Sequence, residues 1–337
     1  MKISYKPFEL TLKHPFTIAK FSRTSTPVML LEIDHEGFKG YGEASMVPYM
    51  GENIGTATTF MSKVDLSWLS APFSFDEVVA YLDNIAPGNP NIKAAIDIAL
   101  HDLKGKIENK ACYKFFDSDP EKMPATSYTL GIDTPEVILQ KIKEGEQCHI
   151  IKVKLGRDND KELINTIRSV SDKPLFVDAN QGWSDRQQGL DMAYWLHEQG
   201  VVLIEQPMAK EDVDSNAWIT ERSPVAIIGD ESVQRFNDVE KAKGVYHGIN
   251  MKLMKSAGMH EGHRMILKAR ELGMKVLIGC MSETSCGTLA AAALAPLCDW
   301  ADLDGPFLTS NNPYRDPGFH DGRWLLSEEP GLGLIKN

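Results

Sequence analysis

The sequence lacks several features that mark whole classes of protein. Its five cysteines are scattered and odd in number, and no two form a C-x-x-C pair, so neither a zinc knuckle nor a disulfide framework is indicated. No uninterrupted apolar run approaches the roughly 18 residues of a membrane span, and the amino terminus has no signal-peptide apolar region. We therefore expect a cytoplasmic protein without a membrane partner.

Basic residues are in the minority. The 337-residue chain has 47 acidic and 36 basic residues, which gives a formal net charge of −11 at pH 7. Such a surface repels phosphate backbones, so nucleic acid is not an expected partner. No G-x-G-x-x-G or Walker motif follows a predicted strand, which disfavours dinucleotide and nucleotide binding.

The first part of the chain mixes two kinds of pattern. The hydrophobic content of 42% is that of a globular protein with a substantial core. Strand-like alternation fills the first 60 residues, with Glu36-Gly37 as the turn of a hairpin, and helical spacing follows from residue 74. Residues 1–120 are therefore predicted to form an α+β domain.

A more regular pattern begins at residue 121. Eight short apolar runs alternate with helical patterns, in steps of 22 to 27 residues. One strand, one helix and two loops fill such a step. Eight such units favour an α/β fold, a modified TIM-like (β/α) barrel over 121–306, rather than an open doubly wound sheet. The segment 307–337 is predicted to return to the amino-terminal sheet, so that both ends of the chain form one capping domain.

Charged side chains end most of these strands, at the rim where such barrels build active sites. The third to fifth strands end at Asp178, Glu205 and Asp230. A solvated loop explains any one polar strand end, but three neighbouring carboxylates would repel one another without a cation between them. Three oxygen ligands suit Mg²⁺, and Mn²⁺ stays open as a substitute. The residues predicted to support these ligands are Asn180, Gln206 and Glu231.

Lysines flank the carboxylates on both sides. Lys152 and Lys154 are two residues apart on the second strand, so they share a face, and Lys252 ends the sixth strand. A solvated edge strand would show the same spacing, but the apolar neighbours of the pair argue against it. Lys154 and Lys252 would then face each other across one carbon, which suits removal of a proton from one side and its return on the other. Lys152 and the cation would stabilise the intervening enediolate.

These motifs together resemble one family. The lysines of IKVK, the acids of VDAN, IEQP and GDES, the first lysine of INMKLMKSAG and the DLD of the eighth strand are similar to the enolase superfamily, which pairs lysine or histidine bases with Mg²⁺. The match is to its muconate-lactonizing-enzyme-like subgroup, and within that to dipeptide epimerases. The resemblance implies that the three acids bind one Mg²⁺ per subunit. It also implies that Lys154 acts on the R centre, Lys252 on the S centre, and Lys152 as an electrostatic helper.

The resemblance also implies a site for the substrate's amino group. Asp302 and Asp304 correspond to an acidic pair that receives the free ammonium of a dipeptide, since a buried cation needs a paired anion. A merely polar strand end is the alternative explanation. Thr129, on the first barrel strand, would contact the dipeptide through its hydroxyl or backbone.

Two loops are expected to close over the site. They lie at about 15–26 and 44–53, and Arg23 stands where the family places an arginine that binds a glutamate side chain. An ordinary solvated arginine is the alternative.

The predicted function is a Mg²⁺-dependent isomerase, a dipeptide epimerase that moves the α-proton of the C-terminal residue. L-Ala-D-Glu, converted to L-Ala-L-Glu as in the recycling of peptidoglycan peptides, is the first expected substrate, and a homo-oligomer stays open. A lyase of the same subgroup, such as o-succinylbenzoate synthase or muconate cycloisomerase, needs the same lysines but no acidic pair for an ammonium. A non-catalytic anion-binding barrel is the alternative from another class, and a metal hydrolase would need histidine ligands or a second metal.

Overall fold

A computed structural model of the chain describes residues 1–18, 21–157, 159–315 and 318–337. Its first three strands form an antiparallel sheet, and three helices follow. Glu36 and Gly37 form the predicted hairpin turn, where both have positive φ angles, of 53° and 87°. These elements are β1 (Lys2–Thr17), β2 (Ser22–His35), β3 (Phe38–Ser45), α1 (Ile54–Met61), α2 (Phe75–Ile85) and α3 (Pro90–Ile107).

Helix α3 packs directly on strand β3. A β-carbon at Gly42 would lie 1.9 Å from the carbonyl oxygen of Ala95, and one at Gly40 would lie 2.0 Å from that of Ala99. Only glycine permits so close an approach of strand to helix. The sheet and α3 therefore form one tightly packed unit.

Eight parallel strands form the second part of the fold. They are hydrogen-bonded in sequence order, and the two outer strands meet where Thr126 bridges Ala301, so the sheet closes into a barrel. In the described chain an α-helix follows each of the first seven strands, which confirms the predicted fold class. The elements are β4 (Ser127–Leu130), α4 (Pro135–Glu144), β5 (Ile150–Lys154), α5 (Asp160–Arg168), β6 (Leu175–Asp178), α6 (Arg186–Glu198), β7 (Val201–Glu205), α7 (Val213–Arg222), β8 (Ala226–Gly229), α8 (Phe236–Ala242), β9 (Gly248–Lys252), α9 (Met259–Glu271), β10 (Lys275–Gly279), α10 (Ser285–Ala292) and β11 (Trp300–Asp302).

The inside of the barrel has an apolar layer below a charged one. The apolar layer is a buried cluster of side chains from four strands. Alternate residues of a strand face the same side, so the residues two places further along three of these strands are the acids at the carboxyl-terminal rim. The members of the apolar cluster are Phe176, Leu203, Ile228 and Leu277.

The carboxyl-terminal tail packs in two places. Its outer strand pair lies against the amino-terminal sheet, where Lys336 forms a 2.8 Å ion pair with Glu32. This pair lies on the sheet to which the tail was predicted to return. A short hairpin instead covers the seam of the barrel, and the indole N–H of Trp324 donates to the carbonyl oxygen of Leu303 there. The strands are β12 (Tyr314–Arg315), β13 (Phe319–His320), β14 (Arg323–Trp324) and β15 (Ile335–Lys336).

The predicted domain limits, 1–120, 121–306 and 307–337, stay predictions. Among the helices that the structure describes, none combines the length and the hydrophobicity required to cross a membrane.

Candidate active site

Three carboxylates meet at the carboxyl-terminal rim of the barrel. Asp178 and Glu205 are the last residues of β6 and β7 and are paired in register, and Asp230 directly follows β8. One oxygen from each carboxylate lies within 4.8 Å of the others, and all three side chains are buried. Oxygen donors at this spacing could hold a hard divalent cation, and the set fits Mg²⁺.

The three carboxyls differ in their electrostatic surroundings. Burial opposes ionisation of Asp178 and Asp230, but the adjacent lysines outweigh it and lower the pKa of both. At Glu205 burial prevails, so its pKa is raised. Its Oε1 atom is buried and accepts no hydrogen bond in the described chain, although Lys152 Nζ lies 2.5 Å away. A cation bound beside Glu205 would offset the burial that opposes its ionisation.

Lys152 is a buried cation held among acids. Its ammonium lies 2.6 Å from Asp302, 2.5 Å from Glu205 and 3.6 Å from Asp178. Burial alone would lower the pKa of Lys152, but these carboxylates outweigh burial and raise the pKa well above its usual value. Such a lysine stays charged, so it suits electrostatic stabilisation rather than proton abstraction.

Lys154 and Lys252 flank the carboxylate cluster. The ammonium of Lys154 lies 2.6 Å from Asp178, and that of Lys252 lies 2.7 Å from Asp230. Their strands, β5 and β9, lie on either side of the three that bear the acids. Two buried amines thus contact the two outer carboxylates from opposite sides.

A second acidic pair lies at the end of β11. Asp302 accepts hydrogen bonds from Ser127 Oγ at 2.7 Å and from Lys152, and the Thr129 hydroxyl lies 3.4 Å away. Asp304 accepts the backbone N–H of Thr129 at 2.6 Å. Burial, and then the charge of Asp302, raise the pKa of Asp304 to about 7. A cation placed between the two acids would offset the repulsion between their carboxylates.

The residues predicted to support the ligands lie next to them. Gln206 Oε1 accepts the backbone N–H of Asp230 at 3.0 Å. The backbone N–H of Asn180 donates to Asp178 at 2.9 Å, whereas its side chain donates to Glu231 at 3.4 Å. Glu231 thus contacts Asn180, whose backbone binds the carboxylate of Asp178. The functional roles of these residues stay predictions.

Two further polar residues complete the rim, and the sequence reasoning did not identify them. Asn250 donates to Glu205 Oε2 at 2.7 Å. Lys255 donates to both the carboxylate and the carbonyl oxygen of Asp230, at 2.6 and 2.7 Å. A signal was available for Asn250, because it lies two residues before Lys252 and shares its face of the strand.

The predicted loops border the mouth of the site. The strand turn within 15–26 contributes Ile18 and Phe21, although Ala19 and Lys20 lie outside the described residues. The loop at 44–53 contributes Met50, and together with site residues these side chains line a cavity of about 120 Å³. Arg23 donates from Nη2 to Ser282 Oγ at 2.7 Å, just beyond β10.

The whole chain is similar to known enzymes. It is 50% identical over its full length to the L-Ala-D/L-Glu epimerase of Bacteroides thetaiotaomicron, of which the match covers 88%. In fold it is similar to the substrate-liganded L-Ala-D/L-Glu epimerase of Bacillus subtilis, with a TM-score of 0.93 and 24% identity, covering 100% of this chain and 98% of that one. A dipeptide epimerase of Enterococcus faecalis, complexed with Mg and L-Leu-L-Tyr, has a TM-score of 0.89 and 29% identity, covering 98% of each chain.

Two family descriptions account for most of the sequence. Residues 3–116 match the mandelate racemase / muconate lactonizing enzyme amino-terminal domain, and residues 138–335 match the enolase carboxyl-terminal domain-like family. Both agree with the resemblance seen in the motifs. The chain belongs to the enolase superfamily, in its mandelate racemase / muconate lactonizing enzyme group.

Proposed function

We propose that the chain is a Mg²⁺-dependent dipeptide epimerase that inverts the α-carbon of the C-terminal residue, with L-Ala-D-Glu and L-Ala-L-Glu as its first substrates. The observation that carries the proposal is the placement of Lys154 and Lys252 on opposite flanks of three carboxylates. Two relatives support it. The Bacteroides thetaiotaomicron protein, which is 50% identical, is an L-Ala-D/L-Glu epimerase, and the Enterococcus faecalis structure contains Mg and a dipeptide.

The proposed cation ligands are the three rim acids. Asp178, Glu205 and Asp230 would hold one Mg²⁺, and Mn²⁺, which prefers the same oxygen donors, is proposed as a substitute. When bound there, Mg²⁺ supplies positive charge that stabilises the negative charge developing on the substrate carboxylate.

The lysines divide the work of proton transfer. One of Lys154 and Lys252 begins neutral and accepts the α-proton, and the other begins protonated and donates to the opposite face. The roles exchange when the reaction runs in the other direction. Lys152 keeps its charge and stabilises the enediolate throughout, without taking part in the transfer.

The second acidic pair accounts for the choice of a dipeptide. Asp302 and Asp304 would receive the free ammonium of the substrate. The positive charge of this ammonium would favour ionisation of Asp304. The substrates of the lyases and cycloisomerases of this group carry no ammonium to pair with these acids. The acidic pair therefore favours epimerisation over those reactions.

The proposal is tested by isotope exchange. The protein is incubated with Mg²⁺ and L-Ala-D-Glu in deuterated water, and a chelated sample and the Asp178→Asn variant serve as controls. We expect L-Ala-L-Glu to form, with deuterium at the glutamyl α-carbon, in the Mg²⁺ sample alone. Absence of α-proton exchange across a library of L-Xaa-L-Yaa dipeptides, with a folded Mg²⁺-treated protein, would contradict the proposal.

A further inference from the structure

We propose that Ser282 is a positioning residue that gives the enzyme its preference for an acidic second residue, and that it acts through Arg23. This inference rests on the proposed function and deepens it. The two residues are 259 positions apart, yet Arg23 Nη2 donates to Ser282 Oγ at 2.7 Å. The hydrogen bond joins the start of strand β2, in the capping sheet, to the segment that follows barrel strand β10.

Arg23 and the proposed base Lys154 share an aromatic neighbour. Its guanidinium carbon is 5.5 Å from the centroid of the Phe16 ring and 5.8 Å from that of Phe21. The ammonium of Lys154 lies 6.0 Å from the same Phe16 centroid. One phenyl ring thus contacts both the proposed base and the guanidinium, and the side chain of the epimerised residue extends from a carbon next to that base.

Ser282 belongs to the rigid junction of the two parts of the fold. Its side chain is 5% exposed, and its carbonyl oxygen accepts the hydroxyl of Ser45, at the end of β3, at 2.6 Å. Two residues further on, the backbone N–H of Thr284 donates to Glu43 at 2.8 Å. Two contacts with β3 therefore hold the backbone that carries the Ser282 hydroxyl, and Arg23 takes part in neither of them.

The Ser282 hydroxyl restricts the conformation of the Arg23 side chain. An arginine side chain has many rotamers, and ordering it on substrate binding costs free energy. The hydrogen bond to Ser282 and the two aromatic rings restrict Arg23 before the substrate arrives. A preorganised guanidinium binds a carboxylate better than a mobile one, so the arrangement selects a glutamyl side chain over a neutral side chain of similar length.

The test compares L-Ala-L-Glu with the neutral L-Ala-L-Met. The full-length Mg²⁺-loaded protein and its Ser282→Ala variant are assayed for α-deuterium exchange, and kcat and KM are measured for both dipeptides. We expect the ratio of kcat/KM for the two dipeptides to fall about tenfold in the variant, through a higher KM for L-Ala-L-Glu. Ser282→Thr, which keeps the hydroxyl, is expected to retain the preference, and Ser285→Ala serves as a matched control in the same segment.

A second comparison shows whether Ser282 acts through Arg23. In an Arg23→Met background, Ser282→Ala is expected to cause no further loss of the preference. An equal loss for both dipeptides in Ser282→Ala, or an undiminished effect in the Arg23→Met background, would overturn the inference and leave the proposed function intact. Failure of the unaltered protein to exchange any dipeptide would overturn the proposed function, and this inference with it.

Discussion

Lys152, on the second barrel strand, donates a 2.6 Å hydrogen bond to Asp302 at the end of the eighth. The same ammonium lies 2.5 Å from Glu205, one of the proposed cation ligands. A single buried charge therefore connects the proposed metal site to the proposed site for the substrate's ammonium. A substitution in one site that disturbs Lys152 is therefore expected to alter ligand binding at the other site.

Asp302 and Asp304 allow a matched comparison of two variants, because Asp302 contacts Lys152 and Asp304 accepts a hydrogen bond from Thr129. Among the described residues, Asp302→Asn leaves Lys152 paired with Asp178 and Glu205 alone, so its ammonium competes more strongly with Mg²⁺ for these two carboxylates. We expect the variant to lose about tenfold in Mg²⁺ affinity, measured by titration calorimetry, and Asp304→Asn to leave that affinity near its original value.

Both variants of these acids are expected to raise the KM for dipeptides about 100-fold, because each leaves the substrate ammonium short of one buried partner. Equal Mg²⁺ affinities in Asp302→Asn and Asp304→Asn would show that Lys152 does not couple the two sites.

Removal of one proposed ligand should abolish stabilisation by the cation. Mg²⁺ at about 100 times its Kd should stabilise the unaltered protein by about 2.7 kcal/mol, because it binds the folded state alone. In Glu205→Gln we expect thermal unfolding to become nearly independent of Mg²⁺. Glu198→Gln, at the end of helix α6, is the control, and it should keep the full effect. A Mg²⁺-dependent Tm that survived in Glu205→Gln would place the cation elsewhere.

A buried acid at the junction of cap and barrel predicts a dependence of stability on pH. Burial, and then the charge of Glu43, raise the pKa of Glu283 from 4.5 to about 8. The folded state keeps a proton that the unfolded state has released, so stability falls as pH rises from about 4.5 to about 8. Glu283→Gln removes this dependence. We expect its Tm to exceed that of the unaltered protein by a few degrees at pH 8.5, with the difference shrinking at pH 5. An equal difference at both pH values would contradict the assignment.

Lys255 is expected to stabilise the fold when no cation is bound. Its ammonium lies 2.6 Å from Asp230, and both side chains are buried. Lys252 still pairs with Asp230 when Lys255 is removed, but the buried carbonyl oxygens of Asp230 and Asn250 lose their Lys255 donor, a loss that typically costs about 1–3 kcal/mol. Lys255→Met should therefore lower the free energy of unfolding by that amount in chelator, as measured in urea. Lys241→Met, which breaks an exposed ion pair, should change it by less than about 1 kcal/mol. Similar effects of the two variants would contradict this role.

The sequence predicted those features that depend on local spacing. Eight apolar runs at regular intervals defined the barrel, and the acids at their ends lie together because the carboxyl ends of parallel strands share one rim. Residues two apart on a strand share a face, which places Lys152 beside Lys154 and would have predicted Asn250 beside Lys252.

Contacts between distant segments left no local signal. The hydrogen bond of Arg23 to Ser282 and that of Glu43 to Thr284 each join residues more than 200 positions apart. The position of the tail hairpin was also missed, because the tail was predicted to return to the amino-terminal sheet, whereas β13 and β14 cover the seam of the barrel. These contacts depend on how the cap sits on the barrel.

The central claim is that Lys154 and Lys252 act on opposite faces of one carbon, and isotope exchange in single variants tests it most directly. Each epimer, L-Ala-D-Glu and L-Ala-L-Glu, is incubated separately in deuterated water with Mg²⁺ and either Lys154→Met or Lys252→Met. We expect epimerisation to fall by a factor of about 10² to 10⁴ in both variants. Lys154→Met should still exchange the α-proton of L-Ala-L-Glu alone, and Lys252→Met that of L-Ala-D-Glu alone. Epimerisation at the unaltered rate in either variant, or exchange of the same epimer by both, would contradict the account.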